Sequence, residues 1–421
     1  MRDYFLGPVV PHSPAALPQD EVTRVRAFYD SRPDLHSTPL RLLPVHARQI
    51  GIGALLLKDE STRFGLPAFK VVGVTYAIHR LIEDGRLSAG AVVACATAGN
   101  HGRAVARVAR ERGLRATVYV PAGTVRERID AIASEGADVI VHDRGYDDAV
   151  ATMARDARRR GWTIVSDTSY PGSTDDDVPR LIMCGYTRLF DEAAAQWDAP
   201  PDVMFVQAGV GGLLAAAASW SPRAGPHVVS CEPANAACVL AAAEAGRPRA
   251  LDGALDTAMA GLRCAEISHA AWPIVAARVR AFVTARDEET FEMMRRLARI
   301  RSKPDATSDG VVSGPSGACG LACLAAVMRD PDLAPVRDHL GLGPHSRVLV
   351  VNTEGNTDPS VYNRVVGSKL EASKQRAERE RAALSSSEAR RRRATASGGG
   401  APRAGKKVAG GRGGAPPQGN E

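Results

Sequence analysis

The chain has 421 residues, 44% hydrophobic and 24% charged, enough apolar material for a large core divided over two domains. No run of about 18 or more apolar residues lacks a charge, and the amino terminus, MRDYFLGPVVPHSP, has no apolar h-region; neither a membrane span nor a secretory signal is expected, and the cytoplasm is the expected compartment. The seven cysteines (Cys95, Cys184, Cys231, Cys238, Cys264, Cys319, Cys323) are scattered, with no CxxC and no paired histidine spacing, which argues against a disulfide framework or zinc and leaves no metal expected.

The net charge of +7 points towards nucleic acid only until its location is read. From Ser368 onward 13 Lys and Arg stand against 5 Glu, leaving 41 basic and 42 acidic residues before it. Residues 368–421 are too poor in apolar side chains to offset their ordering entropy, so a disordered basic tail is expected there. Such a tail could touch RNA or another anionic surface, but it has no aromatic residue on which a base could stack.

In chain order, short apolar runs at 54–60, 90–97, 116–121, 138–143, 163–168, 202–209, 227–233 and 347–355 read as strands. Helical patterns fall at 70–84, 101–112, 124–135, 146–160, 179–197, 212–219, 234–245, 287–302 and 317–328. Strands separated by helices of this length imply βαβ units and parallel sheets. The count exceeds one sheet, so an α/β chain of two domains is expected, with its site at the carboxyl ends of strands in the cleft between them.

Four stretches carry chemistry. In LKDESTRFGLPAFKVVGVTYAI, residues 57–78, Lys70 opens a helix in apolar company after a Gly-Leu-Pro turn. A lone lysine there can simply snorkel to the surface. Desolvation and the helix dipole would instead lower its basicity, as an imine-forming nucleophile requires. In VQAGVGGLLAAAA, residues 206–218, a strand meets Gly209, Val210, Gly211 and Gly212 and then an alanine-rich helix. That geometry can close backbone N–H groups around one small phosphate, although tight helix packing alone would also explain it. The spacing fits neither a dinucleotide nor a nucleoside triphosphate. In CATAGNHG, residues 95–102, Asn100 presents an amide at the mouth of a strand, and His101 is either an acid-base residue or a local cap. VVNTEGNTDP, residues 350–359, delivers Thr353, Glu354, Gly355 and Asn356 to the same edge, and Asp59 and Ser61 lie near the lysine loop.

Taken in this order, the motifs resemble the fold type II, tryptophan synthase β-like pyridoxal phosphate enzymes. KDESTRFGLPAFKVVG, GNHGRAVARVARERG, VRERIDAIASEGADVIV, DTSYPG, LIMCGYTRLFDEA, QAGVGG, MAGL, SGPSGACGL and NTEGNTDPSVY are similar, over residues 30–366, to one family within that group, diaminopropionate ammonia-lyase. The resemblance implies a homodimer in which each chain has a large domain from 1–85 and 176–367 and a small domain from 86–175, each a mostly parallel sheet flanked by helices. It implies pyridoxal 5'-phosphate, with Lys70 as the Schiff-base lysine and Cα base. Asn100 would meet the cofactor's 3'-oxygen, the backbone of Gly209, Val210, Gly211 and Gly212 its phosphate, and Thr353 its pyridine nitrogen. Asp167 would face the substrate's β-ammonium; the bland alternative is a strand-end aspartate making a turn. The implied reaction is β-elimination of L-2,3-diaminopropionate to pyruvate and ammonia.

The chain departs from the family at Ala98, where the ammonia-lyase pattern has an aspartate that serves as base on the face opposite the lysine and lets the D-isomer react. A methyl group accepts no proton, so only the L-isomer is expected to react here. TAGNHG also looks like the loop of serine and threonine dehydratases. Dehydration of a β-hydroxy amino acid, β-replacement, and a non-catalytic cofactor-binding protein with an RNA-interacting tail are the alternatives.

Overall fold

The computed structural model describes residues 3–97, 99–169, 176–222, 225–299 and 310–367. Ala98, the Tyr170–Gly172 end of DTSYPG and the basic tail from Ser368 lie outside the described residues. Eleven strands are described: β1 (Tyr4–Leu6), β2 (Leu40–Leu42), β3 (Ala54–Asp59), β4 (Val92–Ala96), β5 (Arg115–Val120), β6 (Asp138–Val141), β7 (Thr163–Ile164), β8 (Val203–Gln207), β9 (His227–Pro233), β10 (Ala281–Ala285) and β11 (Arg347–Asn352). They form a seven-stranded sheet in the order β1-β10-β9-β8-β11-β3-β2 and a four-stranded sheet in the order β6-β5-β4-β7.

Within each sheet the inner pairings are parallel; only β1 on β10 and β2 on β3, at the two edges of the larger sheet, run antiparallel. Every residue of β3, β8 and β10 is buried. These strands are mostly apolar because helices cover both faces of a parallel sheet, and the polar side chains they do carry are paired inside, Lys58 with Glu192 and Gln207 with the Val351 carbonyl. The fold is the α/β arrangement expected, with several boundaries moved. The 163–168 run pairs only over Thr163–Ile164 before leaving the sheet, the helix expected from 234 starts at Cys238, and the one expected to 302 is helical over Asp287–Ala298. β1, β2 and β10 and the helices Gln19–Asp30, Pro44–Ile50, Trp272–Arg278 and Ala334–His339 were not legible as elements. Among the described residues no helix is long and apolar enough to cross a membrane.

Two packing features fix the approach to the lysine. The helices Lys70–Glu83 and Asp177–Ala194 cross at Gly73 and Gly185, where a Cβ on Gly185 would lie 2.8 Å from Gly73 Cα and one on Gly73 would lie 2.6 Å from Tyr186 Cε1. Only glycine lets the backbones come this close. Between β3 and the second helix lies a buried ion cluster in which Arg63 reaches Glu60 and Glu192, each at 2.6 Å, and Lys58 reaches Glu192 at 2.7 Å. Two cations offset two carboxylates there, so no buried charge is left alone. Burial works to raise the Glu192 carboxyl, but its bonds to Arg63 and Lys58 outweigh it and bring it down to about 2.

Candidate active site

Five strand ends deliver the polar groups. β3 runs into a loop that stays tied to the segment after β11: Glu60 N–H donates to the Asn352 carbonyl, Gly355 N–H to Pro67 and Phe69 N–H to Thr353, at 2.9–3.1 Å. The loop therefore hands Lys70 to the helix Lys70–Glu83 from a position set by β11. Lys70 is one-fifth exposed, and its Nζ lies 2.5 Å from Asp167 Oδ2, which arrives from the end of β7. Burial works to lower the affinity of this amine for its proton, but the charge and hydrogen bond of Asp167 outweigh burial and raise it above the ordinary ammonium value. This corrects the lowered basicity expected from desolvation and the helix dipole: local rules omit a carboxylate supplied from 97 residues along the chain.

The same pairing acts on Asp167. Burial works to raise its pKa, but His101 and Lys70 outweigh that and hold the carboxyl well below its usual range. His101 is 5% exposed; its Nε2 lies 2.8 Å from the Val165 carbonyl, and its Nδ1 faces Asp167 Oδ2 at 3.8 Å.

The glycine turn closes the other side. Gly211 adopts φ +87° as the residue before the helix Gly212–Trp220, a left-handed conformation that suits glycine, and the first N–H groups of any helix have no acceptor within it. Ser268 ties this turn to the Asp167 segment, donating N–H to the Val210 carbonyl at 2.9 Å and accepting from Ser169 N–H at 3.1 Å. The Tyr186 ring approaches Gly212, and Cys264 Sγ approaches Gly209. The buried Tyr186 hydroxyl and His101 Nδ1 have no hydrogen-bond partner among the described residues. Burial pushes the Tyr186 phenol up and the Cys264 thiol up to about 12, so both are neutral.

Asn100 opens the helix Asn100–Glu111, and its Nδ2 donates to Glu354 Oε2 at 2.8 Å. Glu354 also accepts from Ser316 N–H at 3.1 Å and from the Thr357 hydroxyl at 2.9 Å. Thr353 is buried beside the lysine loop through its carbonyl. The residues singled out from the sequence, Lys70, Asn100, Asp167, Gly209, Val210, Gly211, Gly212 and Thr353, are thus brought together at neighbouring strand ends, through the contacts of Lys70 with Asp167, Asp167 with Gly212, Phe69 with Thr353 and Asn100 with Glu354. Sequence reasoning missed the anchoring of Asn100 by Glu354, the position of Tyr186 and the approach of Cys264. An isolated glycine in each of two helices was the available signal for Tyr186, marking a close crossing.

The pyridoxal-phosphate dependent enzyme family model matches residues 32–354. The chain is 34% identical over 371 residues to the diaminopropionate ammonia-lyase of Escherichia coli K12, covering 83% of this chain and 92% of that one. It is 29% identical over 347 residues to a biosynthetic L-threonine dehydratase of Mycobacterium leprae, covering 80% and 72%. The crystal structure of the Escherichia coli diaminopropionate ammonia-lyase with an aminoacrylate-PLP azomethine reaction intermediate is similar to it with a TM-score of 0.77 and 34% identity, over 87% of this chain and 97% of that one. With the fold, the lysine and the glycine turn in the places this architecture needs, the chain belongs to the pyridoxal-phosphate dependent enzymes and, within them, to the diaminopropionate ammonia-lyase family.

Proposed function

We propose that this chain is a pyridoxal 5'-phosphate-dependent carbon-nitrogen lyase that converts L-2,3-diaminopropionate and water to pyruvate and two ammonia. The observation that carries the substrate class is the Lys70–Asp167 pair. A carboxylate that holds an ammonium at 2.5 Å inside the cleft is a seat for a second ammonium once Lys70 is engaged elsewhere, and a β-hydroxyl needs no such seat.

The donor set fits the cofactor. Lys70 would hold its aldehyde carbon, the turn Gly209–Gly212 its phosphate, and Thr353 its ring nitrogen. Asn100, with one amide hydrogen on Glu354, has a second for its ring oxygen. When bound, the cofactor supplies the electron sink that acidifies Cα. Lys70 Nζ then takes the Cα proton, and Asp167 holds the β-nitrogen as its ammonium. The electron pair of the Cβ–N bond leaves on nitrogen and neutral ammonia departs as the Cα–Cβ double bond forms. With Ala98 in place of the family's aspartate, Lys70 is the base and the L-isomer the substrate. By analogy with the fold type II enzymes a homodimer is proposed, and a cytoplasmic one from the sequence; sedimentation of the purified protein tests the first.

The deciding assay compares pyruvate release from L-2,3-diaminopropionate and L-serine with 2-oxobutyrate release from L-threonine. Preference for the diamine by at least about tenfold is expected, with the D-isomer slower again. Preference for serine or threonine would establish the dehydratase reading, which the match to threonine dehydratase favours. The visible cofactor absorbance of the purified protein is expected to be lost in Lys70→Ala.

A further inference from the structure

When Lys70 is committed to the cofactor, its ammonium is withdrawn from Asp167. A carboxylate only 17% exposed that loses its cation faces the full cost of burial and tends to take up a proton. A neutral carboxylic acid cannot seat the substrate's ammonium. The titratable groups around Asp167 are Lys70, His101, Cys95 on β4, Tyr186 on the helix Asp177–Ala194 and Cys264. Burial keeps the two thiols and the phenol neutral. Among the described residues only His101 can supply a second positive charge.

Its geometry is arranged for that. A backbone carbonyl only accepts, so the 2.8 Å contact of Nε2 with Val165 fixes a hydrogen on Nε2. In the neutral ring Nδ1 is then a bare lone pair, buried, without a hydrogen-bond partner among the described residues and 3.8 Å from Asp167 Oδ2. One proton taken up from solvent at Nδ1 turns that contact into an N–H facing a carboxylate.

We infer that His101 is a positioning residue which keeps Asp167 ionised and in place while Lys70 is engaged, by accepting a proton at Nδ1 with Nε2 fixed on Val165. The inference rests on the reading of Asp167 as the seat of the β-ammonium.

His101→Gln separates this role from packing, because the glutamine amide reaches Val165 in place of Nε2–H and leaves nothing at the Nδ1 position. The pH profiles of kcat and KM are measured for L-2,3-diaminopropionate and for L-serine, alongside thermal melting. His101→Gln is expected to melt like the parent. The acid limb of its kcat/KM for the diamine is expected to move up by about one pH unit, a roughly tenfold loss near pH 6.5 carried mainly by KM, with the L-serine profile unmoved. Unchanged profiles, or equal losses on both substrates, would overturn the inference. A second readout needs no turnover. In nitrogen NMR of histidine-labelled, cofactor-loaded parent protein, one imidazole is expected to carry both its protons, and not to do so in Asp167→Asn; a neutral ring in the loaded protein would overturn the inference. A parent protein with no activity on the diamine but with this NMR response would sink the proposed function and leave His101 standing.

Discussion

At the scale of single residues, the site is governed by one pairing that no local rule contains. Lys70 was legible as a nucleophile from its turn and helix, yet its protonation is set by Asp167 across 97 residues of sequence. Removing that carboxylate leaves burial unopposed, so in Asp167→Asn the Lys70 amine is expected to lose its proton at a pH lower by one to three units, about what an adjacent opposite charge is worth. The rate at which the apoprotein reacts with a simple aldehyde, followed against pH, measures this; an unshifted profile would show that the pair does not control the amine. The same variant is expected to lose at least about a hundredfold in kcat/KM on the diamine. The linkage has opposite signs for the two partners. The Asp167 contribution to stability is present above its unfolded pKa and is lost as pH falls through the lower folded value. The Lys70 contribution is present below its unfolded pKa and is lost as pH rises through the higher folded value. Glu354 shows why part of the site was unreadable: NTEG placed it at a strand edge, but nothing in four residues announces a bond to an amide 254 positions away.

At the scale of elements, the long apolar runs were readable because a strand buried on both faces is mostly apolar, its polar residues falling only at the carboxyl end in ALLLKD and VMFVQ. YFL and LRL were not, being three-residue edge strands, and neither was AFVTA, a five-residue run close behind another helix. The β7 run was read too long because its last residues leave the sheet to carry Asp167 into the cleft. The crossing of the helices Lys70–Glu83 and Asp177–Ala194 is the element most exposed to a single change. Gly73→Ala would place a methyl 2.6 Å from the Tyr186 ring and 2.7 Å from the Ile182 carbonyl, so it is expected to destabilise by about 2–3 kcal/mol. It is also expected to weaken cofactor retention, because the helices must part where Lys70 and Tyr186 meet. Chemical denaturation and the retained cofactor absorbance check the two effects separately. A variant as stable as the parent would mean that the crossing has slack.

At the scale of the whole molecule, the family match spans residues 32–354 and all the site residues lie within it. A chain ending at Gly367 is therefore expected to retain kcat and KM on the diamine within about twofold. Salt-sensitive retention of RNA by the full chain, absent from the shortened one, would assign the tail a binding role of its own. The ordering of the larger sheet carries a consequence for biogenesis. β11, the last of the described strands to be made, is the one that sits between β3 and β8 inside the sheet. During synthesis, β3 and β8 are both complete long before the strand that joins them exists, each presenting an unpaired, mostly apolar edge. A chain interrupted before residue 347 holds two sheet fragments with no seam and no Thr353 or Glu354, so nascent or truncated forms should rely on a holdase and be cleared rather than accumulate as partly active enzyme.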